Sequence, residues 1–192
     1  MISKKNSLDV FAQYITTVIP KLVKDVIIMN NELILIVEND NLKNIILFLK
    51  NHTNSQYKVL CDITAVDFLD KNERFEVVYQ LLSVCYSSRI RIKVNLQETK
   101  PIESISTLHP CANWYEREIW DLFGIFFMNH VDLRRILTDY GFEGHPLKKD
   151  FPLSGYLEVR YDDIIKQVVC ESIDISQEFR NFNFSSPWEV LK

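Results

Sequence analysis

The chain has 192 residues, 47% hydrophobic and 25% charged, with a net charge of −4. That length buries roughly 70% of the unfolded surface, enough for a core without staples, and it excludes a disordered chain, a coiled coil and a disulfide scaffold. The apolar runs at 45–49, 77–79 and 122–128 fall far short of the ~18 residues of a membrane span, and the acidic balance excludes a general nucleic-acid binder, which neutralises phosphates with Lys and Arg.

In chain order, residues 8–23 carry Leu8, Phe11, Ile15, Val18, Ile19 and Leu22 at helical spacing and predict a helix. Two β-branched runs, 25–29 and 33–37, flank Asn30-Asn31 and predict a hairpin. Residues 42–50 place Leu42, Ile45, Ile46 and Leu49 on one helical face. Three strands follow at 57–68, 74–86 and 89–96, joined by short polar links. In the last, Arg89, Arg91 and Lys93 alternate with Ile90, Ile92 and Val94, the pattern of a sheet with one wet face. Residues 1–103 thus read as an α+β domain, an antiparallel or mixed sheet with packed helices.

All four glycines, 124, 141, 144 and 155, fall in a later and different stretch. Over 104–153, Asn113 and Glu116 fit a capping box, for a helix over 114–123 that ends at Gly124. Arg117 and Asp121 are spaced to pair on that helix, and Tyr115, Ile119, Leu122 and Phe123 form its core face. Residues 132–137 predict a further helical turn. Residues 141–150 read as an ordered, turn-rich loop, because Glu143 and Pro146 spoil it as a phosphate cradle. Residues 154–192 read as an extended arm with β-like runs at 157–161 and 167–175. Its aromatics Phe179, Phe182, Phe184 and Trp188 need cover from the domain or from another protein.

The cysteines at 61, 85, 111 and 170 form no CxxC pair and read as free thiols in a reducing interior. His109, Cys111, His130 and His145 lack metal-site spacing. Glu116, Glu118, Asp121, Asp132 and Asp139 crowd with Arg117, Arg134 and Arg135. Such a cluster can shift pKa values and do catalysis or form an ion-pair network. Its balanced signs favour the network, since a catalytic acid wants no strong cationic partner. No GxSxG, GxGxxG or GxxxxGK[ST] occurs. With 21 Ile, 14 Asn and 14 Lys against 3 Ala, the composition suits an AT-rich organelle or bacterial genome. The N-terminus reads as neither a signal peptide nor a transit peptide.

The run Glu116-Arg-Glu-Ile-Trp-Asp-Leu-Phe-Gly124, followed by His130-Val-Asp-Leu-Arg-Arg-Ile-Leu137, resembles the signature of the 30-kDa (NuoC-type) subunit family of respiratory complex I. Asp121, Leu122, Phe123, His130, Arg134, Ile136 and Leu137 fall in register with it. The run Thr138-Asp-Tyr-Gly-Phe-Glu-Gly-His-Pro-Leu-Lys-Lys-Asp-Phe-Pro-Leu153 also resembles the family. So do the strands Asp62-Ile-Thr-Ala-Val-Asp67 and Arg74-Phe-Glu-Val-Val-Tyr79. The tail, 156–163 and 177–188, is similar to the mitochondrially encoded version, subunit 9.

The resemblance implies a core subunit of the peripheral arm of NADH:ubiquinone oxidoreductase, on the matrix side of the mitochondrial inner membrane and encoded in the mitochondrial genome. The assembly uses FMN, iron–sulfur clusters, NADH and ubiquinone. The resemblance implies that this chain binds none of them and has no catalytic residue. Its expected partners are the 49-kDa (NuoD-type) subunit, which helps form the quinone site, and other peripheral-arm subunits. Its structural or interface residues are Glu116, Arg117, Glu118, Asp121, Gly124, His130, Asp132, Arg134, Arg135, Asp139, Tyr140, Gly144, His145 and Pro146. Paired, partly buried charges over 116–139 are expected to hold the loop rigid, so that removing Arg134 or Glu118 lowers assembly rather than turnover. Rival readings are the same fold in an energy-converting hydrogenase or the chloroplast NAD(P)H–plastoquinone complex, and a free-standing enzyme using the carboxylates.

Overall fold

The computed structural model describes residues 2–180, 182 and 188, with side chains from residue 8 onward. Phe184, expected among the tail aromatics, lies outside the described residues. The chain divides into two units, one running through Phe151 and the other starting at Pro152.

In the first unit, helix α1 (Ile2–Val18) stops well before residue 23. Ile19 precedes Pro20, and a residue before proline is pushed out of the helical region. Residues from Val23 on are therefore strand, not the helix that the apolar spacing predicts. Strand β1 (Val23–Met29) turns through Asn30 and Asn31 into β2 (Glu32–Val37). Both asparagines have positive φ, 50° and 61°, the backbone of a type I′ hairpin turn.

Helix α2 (Leu42–Asn51) buries Leu42, Ile45, Ile46 and Leu49 completely. Ten residues do not hold a helix in water; burial of those four side chains, on the order of 2 kcal/mol each, does. Strands β3 (Val59–Asp67), β4 (Phe75–Ser83) and β5 (Ser88–Leu96) complete a five-stranded sheet of order β1-β2-β5-β4-β3. β2 and β5 are parallel and the other neighbours antiparallel, so the sheet is mixed. Ile90, Ile92, Val94 and Leu96 of β5 are buried. On the opposite face, Arg91 pairs with Glu32 at 2.8 Å and Lys93 with Glu76 at 2.6 Å.

Beyond the sheet, β6 (Ile102–Glu103) bridges in parallel to β7 (Phe127–Met128). Helix α3 (Ala112–Phe123) lies between them in sequence. It puts Ala112, Ile119 and Phe123 into the same core as Ala12 and Ile15 of α1 and the buried side chains of α2.

The second unit contains a hairpin of β8 (Leu157–Asp162) and β9 (Gln167–Ser172). The register puts Leu157, Val159, Tyr161, Val168 and Cys170 on one face. On the other face Arg160 forks onto Glu171 at 2.7 and 2.9 Å.

Candidate functional site

The signature residues converge on α3 and the segments wrapped around it. Gly124 closes the helix in the left-handed region, φ 76°. A Cβ there would lie 2.7 Å from His145 Cδ2, so both backbone and space require glycine. The expected capping box is absent. The helix starts at Ala112, Cys111 precedes it, and no side chain caps it. Asn113 is inside the first turn and its Oδ1 is buried without a hydrogen-bond partner among the described residues. Glu116 cannot reach back, because it lies on the buried stripe with Ala112, Ile119 and Phe123.

Asp121 is the centre of one cluster. Its Oδ2 accepts hydrogen bonds from the N–H groups of Ile136, Leu137 and Thr138 at 3.2, 2.8 and 2.9 Å. Its Oδ1 accepts from the Thr138 hydroxyl at 2.6 Å and from Arg135 Nη1 at 2.9 Å. These bonds explain why residues 132–137 are irregular chain with bends rather than the expected helical turn. A helix would aim successive N–H groups at carbonyls four residues back; here three aim at one carboxylate. Burial would raise the Asp121 carboxyl. The Thr138 hydroxyl and the three N–H groups outweigh it and hold the group well below the usual carboxylate range.

The expected Arg117–Asp121 pair does not form. Arg117 instead donates to the carbonyls of Arg134 and Arg135, both at 3.2 Å, and Arg135 takes the carboxylate. Arg135 also donates to the Gly144 carbonyl at 2.8 Å. His145 Nδ1 lies 3.0 Å from the Asp121 carbonyl, and Leu147 N–H donates to Leu122. The chain from 134 to 147 is thereby tied to the end of α3.

Glu116 is the centre of a second cluster. It is 0% exposed. Oε2 accepts from the Ser104 hydroxyl at 2.6 Å and Oε1 from the Ile105 N–H at 2.7 Å. His130 Nε2 is 3.6 Å away. Desolvation, only partly offset by Ser104 and Ile105, pushes the Glu116 carboxyl up to about 7.

The remaining motif residues belong to neither cluster. Asp132 and Arg134 pair with each other at 2.8 Å, and both are more than half exposed; they are not the partly buried pair expected. Asp139 accepts from its neighbour's N–H, and Tyr140 is fully exposed. Glu118 and Trp114, with Pro110, Cys111, Ile136 and Leu137, line an open, mainly apolar groove. Pro146 is half-buried. His109, Cys111, His130 and His145 do not converge, and no three His, Cys, Asp or Glu side chains group as a metal site among the described residues.

One constellation escaped the sequence reading. Arg74 forks onto Asp67 at 2.7 and 2.9 Å and reaches Asp150 at 2.8 Å and Glu98 at 3.1 Å. The buried Asp67 also accepts from Lys149 N–H at 2.8 Å. The Arg74 guanidinium and the Lys149 N–H hold it below its ordinary value. The available signal was two opposite charges at adjoining strand ends, Asp67 closing β3 and Arg74 just before β4.

The model of the family "respiratory-chain NADH dehydrogenase, 30 Kd subunit" matches residues 35–157. The NADH-ubiquinone oxidoreductase subunit 9 of Reclinomonas americana is 58% identical over 173 residues, 90% of this chain and 85% of the relative. That of Prototheca wickerhamii is 54% identical over 181 residues, 94% of each chain. The NADH dehydrogenase [ubiquinone] iron-sulfur protein 3 of Solanum tuberosum is 59% identical over 150 residues, 78% of this chain and 79% of the relative. A chain in the structure of the membrane-bound sulfane sulfur reductase, an archaeal respiratory membrane complex, shares the fold at TM-score 0.63 and 24% identity, covering 76% of this chain and 85% of its own. With that family model matched over residues 35–157 and relatives 54% and 58% identical over 90% or more of the chain, the chain belongs to the 30-kDa subunit family of respiratory-chain NADH dehydrogenase.

Proposed function

We propose that the chain works as a non-catalytic scaffold in the peripheral arm of mitochondrial NADH:ubiquinone oxidoreductase, on the matrix side of the inner membrane. The observation that carries this reading is how the motif charges are used. Arg117, Asp121 and Arg135 are spent on backbone groups and on each other, and Glu116 is enclosed at 0% exposure. None is left aimed at a substrate. The relatives' names support the assembly, and the AT-rich composition supports encoding in the mitochondrial genome. The 49-kDa subunit is the proposed partner. Through it the chain supports electron transfer to quinone and the coupled proton translocation without touching the reacting groups.

The printed name "iron-sulfur protein 3" raises the question of a cluster, which needs about four thiolate ligands. Cys61 lies on β3, Cys85 beyond β4, Cys111 before α3 and Cys170 on β9, all exposed. These residues do not fit a cluster. FMN, iron–sulfur clusters, NADH and ubiquinone belong to other subunits in this reading.

The arm after Leu153 is the proposed docking element. A lone two-stranded hairpin is marginal in water, and this one exposes Leu157, Val159, Tyr161 and Val168, each more than half. The test is to cut the chain after Leu153 and purify the assembly through another subunit. A folded first unit that no longer copurifies is expected. Copurification of the truncated chain with full NADH–quinone activity would overturn the docking role.

A further inference from the structure

We propose that Glu116, Ser104, Ser106 and His130 form a buried one-proton exchange site, in which Glu116 takes up and releases a proton while every heavy atom keeps a hydrogen-bond partner. This does not depend on the assembly the chain joins.

The donor pattern can run in either direction. With Glu116 ionised, the Ser104 hydroxyl donates to Oε2 at 2.6 Å, and the Ser106 hydroxyl donates to Ser104 Oγ at 2.8 Å. When a solvent proton bonds to Oε2, the new O–H donates to Ser104 Oγ. Ser104 then turns its own hydrogen to Ser106 Oγ, which becomes the acceptor and swings its own hydrogen away from Ser104. The Ser106 N–H, 3.2 Å from Ser104 Oγ, and the Ile105 N–H, 2.7 Å from Oε1, donate in both states. Only hydroxyl hydrogens rotate, a motion that costs little beside leaving a buried polar group unpaired.

His130 lies beside the carboxylate without a direct hydrogen bond to it. The Asp132 N–H donates to His130 Nδ1 at 3.1 Å, so Nδ1 carries a lone pair. The hydrogen is therefore on Nε2, which faces the Asn113 carbonyl at 3.2 Å and Glu116 Oε2 at 3.6 Å.

The other groups that face Glu116 carry no charge. Loop 104–106 presents hydroxyls and N–H groups. From β4 comes Tyr79, whose buried hydroxyl has no hydrogen-bond partner among the described residues and whose own proton is held more tightly by burial and by the Glu116 charge. On α3 the Arg117 guanidinium is turned to the carbonyls of Arg134 and Arg135. A carboxylate in such a place is disfavoured by desolvation, in agreement with a carboxyl held at about 7.

The test is infrared difference spectroscopy on the full chain, with glutamate carboxyls labelled with carbon-13, titrated from about pH 5.5 to about pH 8.5. A neutral-carboxyl band that disappears with a midpoint near 7 is expected, and Glu116→Gln should abolish it. Ser104→Ala keeps the carboxyl but removes a donor to the ionised form, so it should move the midpoint upward. This second variant decides the matter if Glu116→Gln does not fold. A wild-type chain with no such band, a band that survives Glu116→Gln, or a midpoint unmoved in Ser104→Ala would each overturn the proposal.

Discussion

Thr138 holds Asp121 at two points: its hydroxyl donates to Oδ1 at 2.6 Å and its N–H donates to Oδ2 at 2.9 Å. The residues are 17 apart in sequence, so this grip fixes where the chain returns after α3. Asp121 is fully buried. In Asp121→Asn one acceptor oxygen becomes an amide, which would face the Arg135 guanidinium or the three N–H groups of 136–138. Leaving a buried donor unpaired costs roughly 1–3 kcal/mol. The expected result is a loss of unfolding free energy of that size, read as a lower denaturant midpoint at unchanged slope, with earlier proteolysis within 134–147. A midpoint unchanged within error would mean that the loop is held by other contacts.

Glu116 and Asp121 predict opposite pH dependences. Folding raises the Glu116 carboxyl from 4.5 to about 7, so the folded chain retains a proton that the unfolded chain has lost between those values. Its contribution is fully present below 4.5 and is lost as the pH rises through about 7. The loss is about 3–4 kcal/mol at ~1.4 kcal/mol per unit. Glu116→Gln should therefore gain in stability relative to the natural chain as the pH is raised from about 5 to about 8; a pH-independent difference between the two melts would contradict this. Asp121 is held below its ordinary value of 3.8. Its contribution is present above that value and fades as the pH falls below it.

Arg74 ties the segment at Lys149 and Asp150 to the sheet through Asp67. Arg74→Ala leaves the buried Asp67 carboxylate with one N–H donor, Lys149, and should cost about 3 kcal/mol. Arg74→Lys should recover only part of this, because an ammonium lacks the two-pronged fork. Amide exchange at residues 147–151 should accelerate in both variants, most in Arg74→Ala. Equal protection in all three chains would refute the clamp.

Gly124→Ala meets two penalties, positive φ and the His145 ring at 2.7 Å. The backbone part alone is about 1–2 kcal/mol. In a double-mutant cycle His145→Ala should relieve the steric part, so the two substitutions together cost less than their sum. Strict additivity of the measured stabilities would exclude the clash.

Arg134→Ala should leave chain stability unchanged within error, since its pair with Asp132 is exposed on both sides. A loss of assembled complex in this variant would then come from the surface it presents, not from a weakened fold. A large drop in the melting midpoint of the isolated chain would show that Arg134 braces the loop after all.

Local pattern was enough for the elements whose partners are close in sequence. The Asn30-Asn31 hairpin, the apolar face of α2, the alternation along β5 and the Gly124 helix stop each follow from steric preference or periodicity within a few residues. The signature run likewise identified the family, because a motif is carried by order and spacing alone. The partners of the charged residues were not legible in this way. Arg117 and Asp121 have ideal helical spacing, yet each bonds to a segment 14 to 18 residues away. Asn113 and Glu116 read as a cap, but the face of α3 that the core takes up places Glu116 inside, against Ser104. A buried charge is bound by whichever donors the packing brings to it, and desolvation makes that choice decisive. Those donors are mostly backbone N–H and carbonyl groups, which every residue carries, so no side-chain pattern announces them.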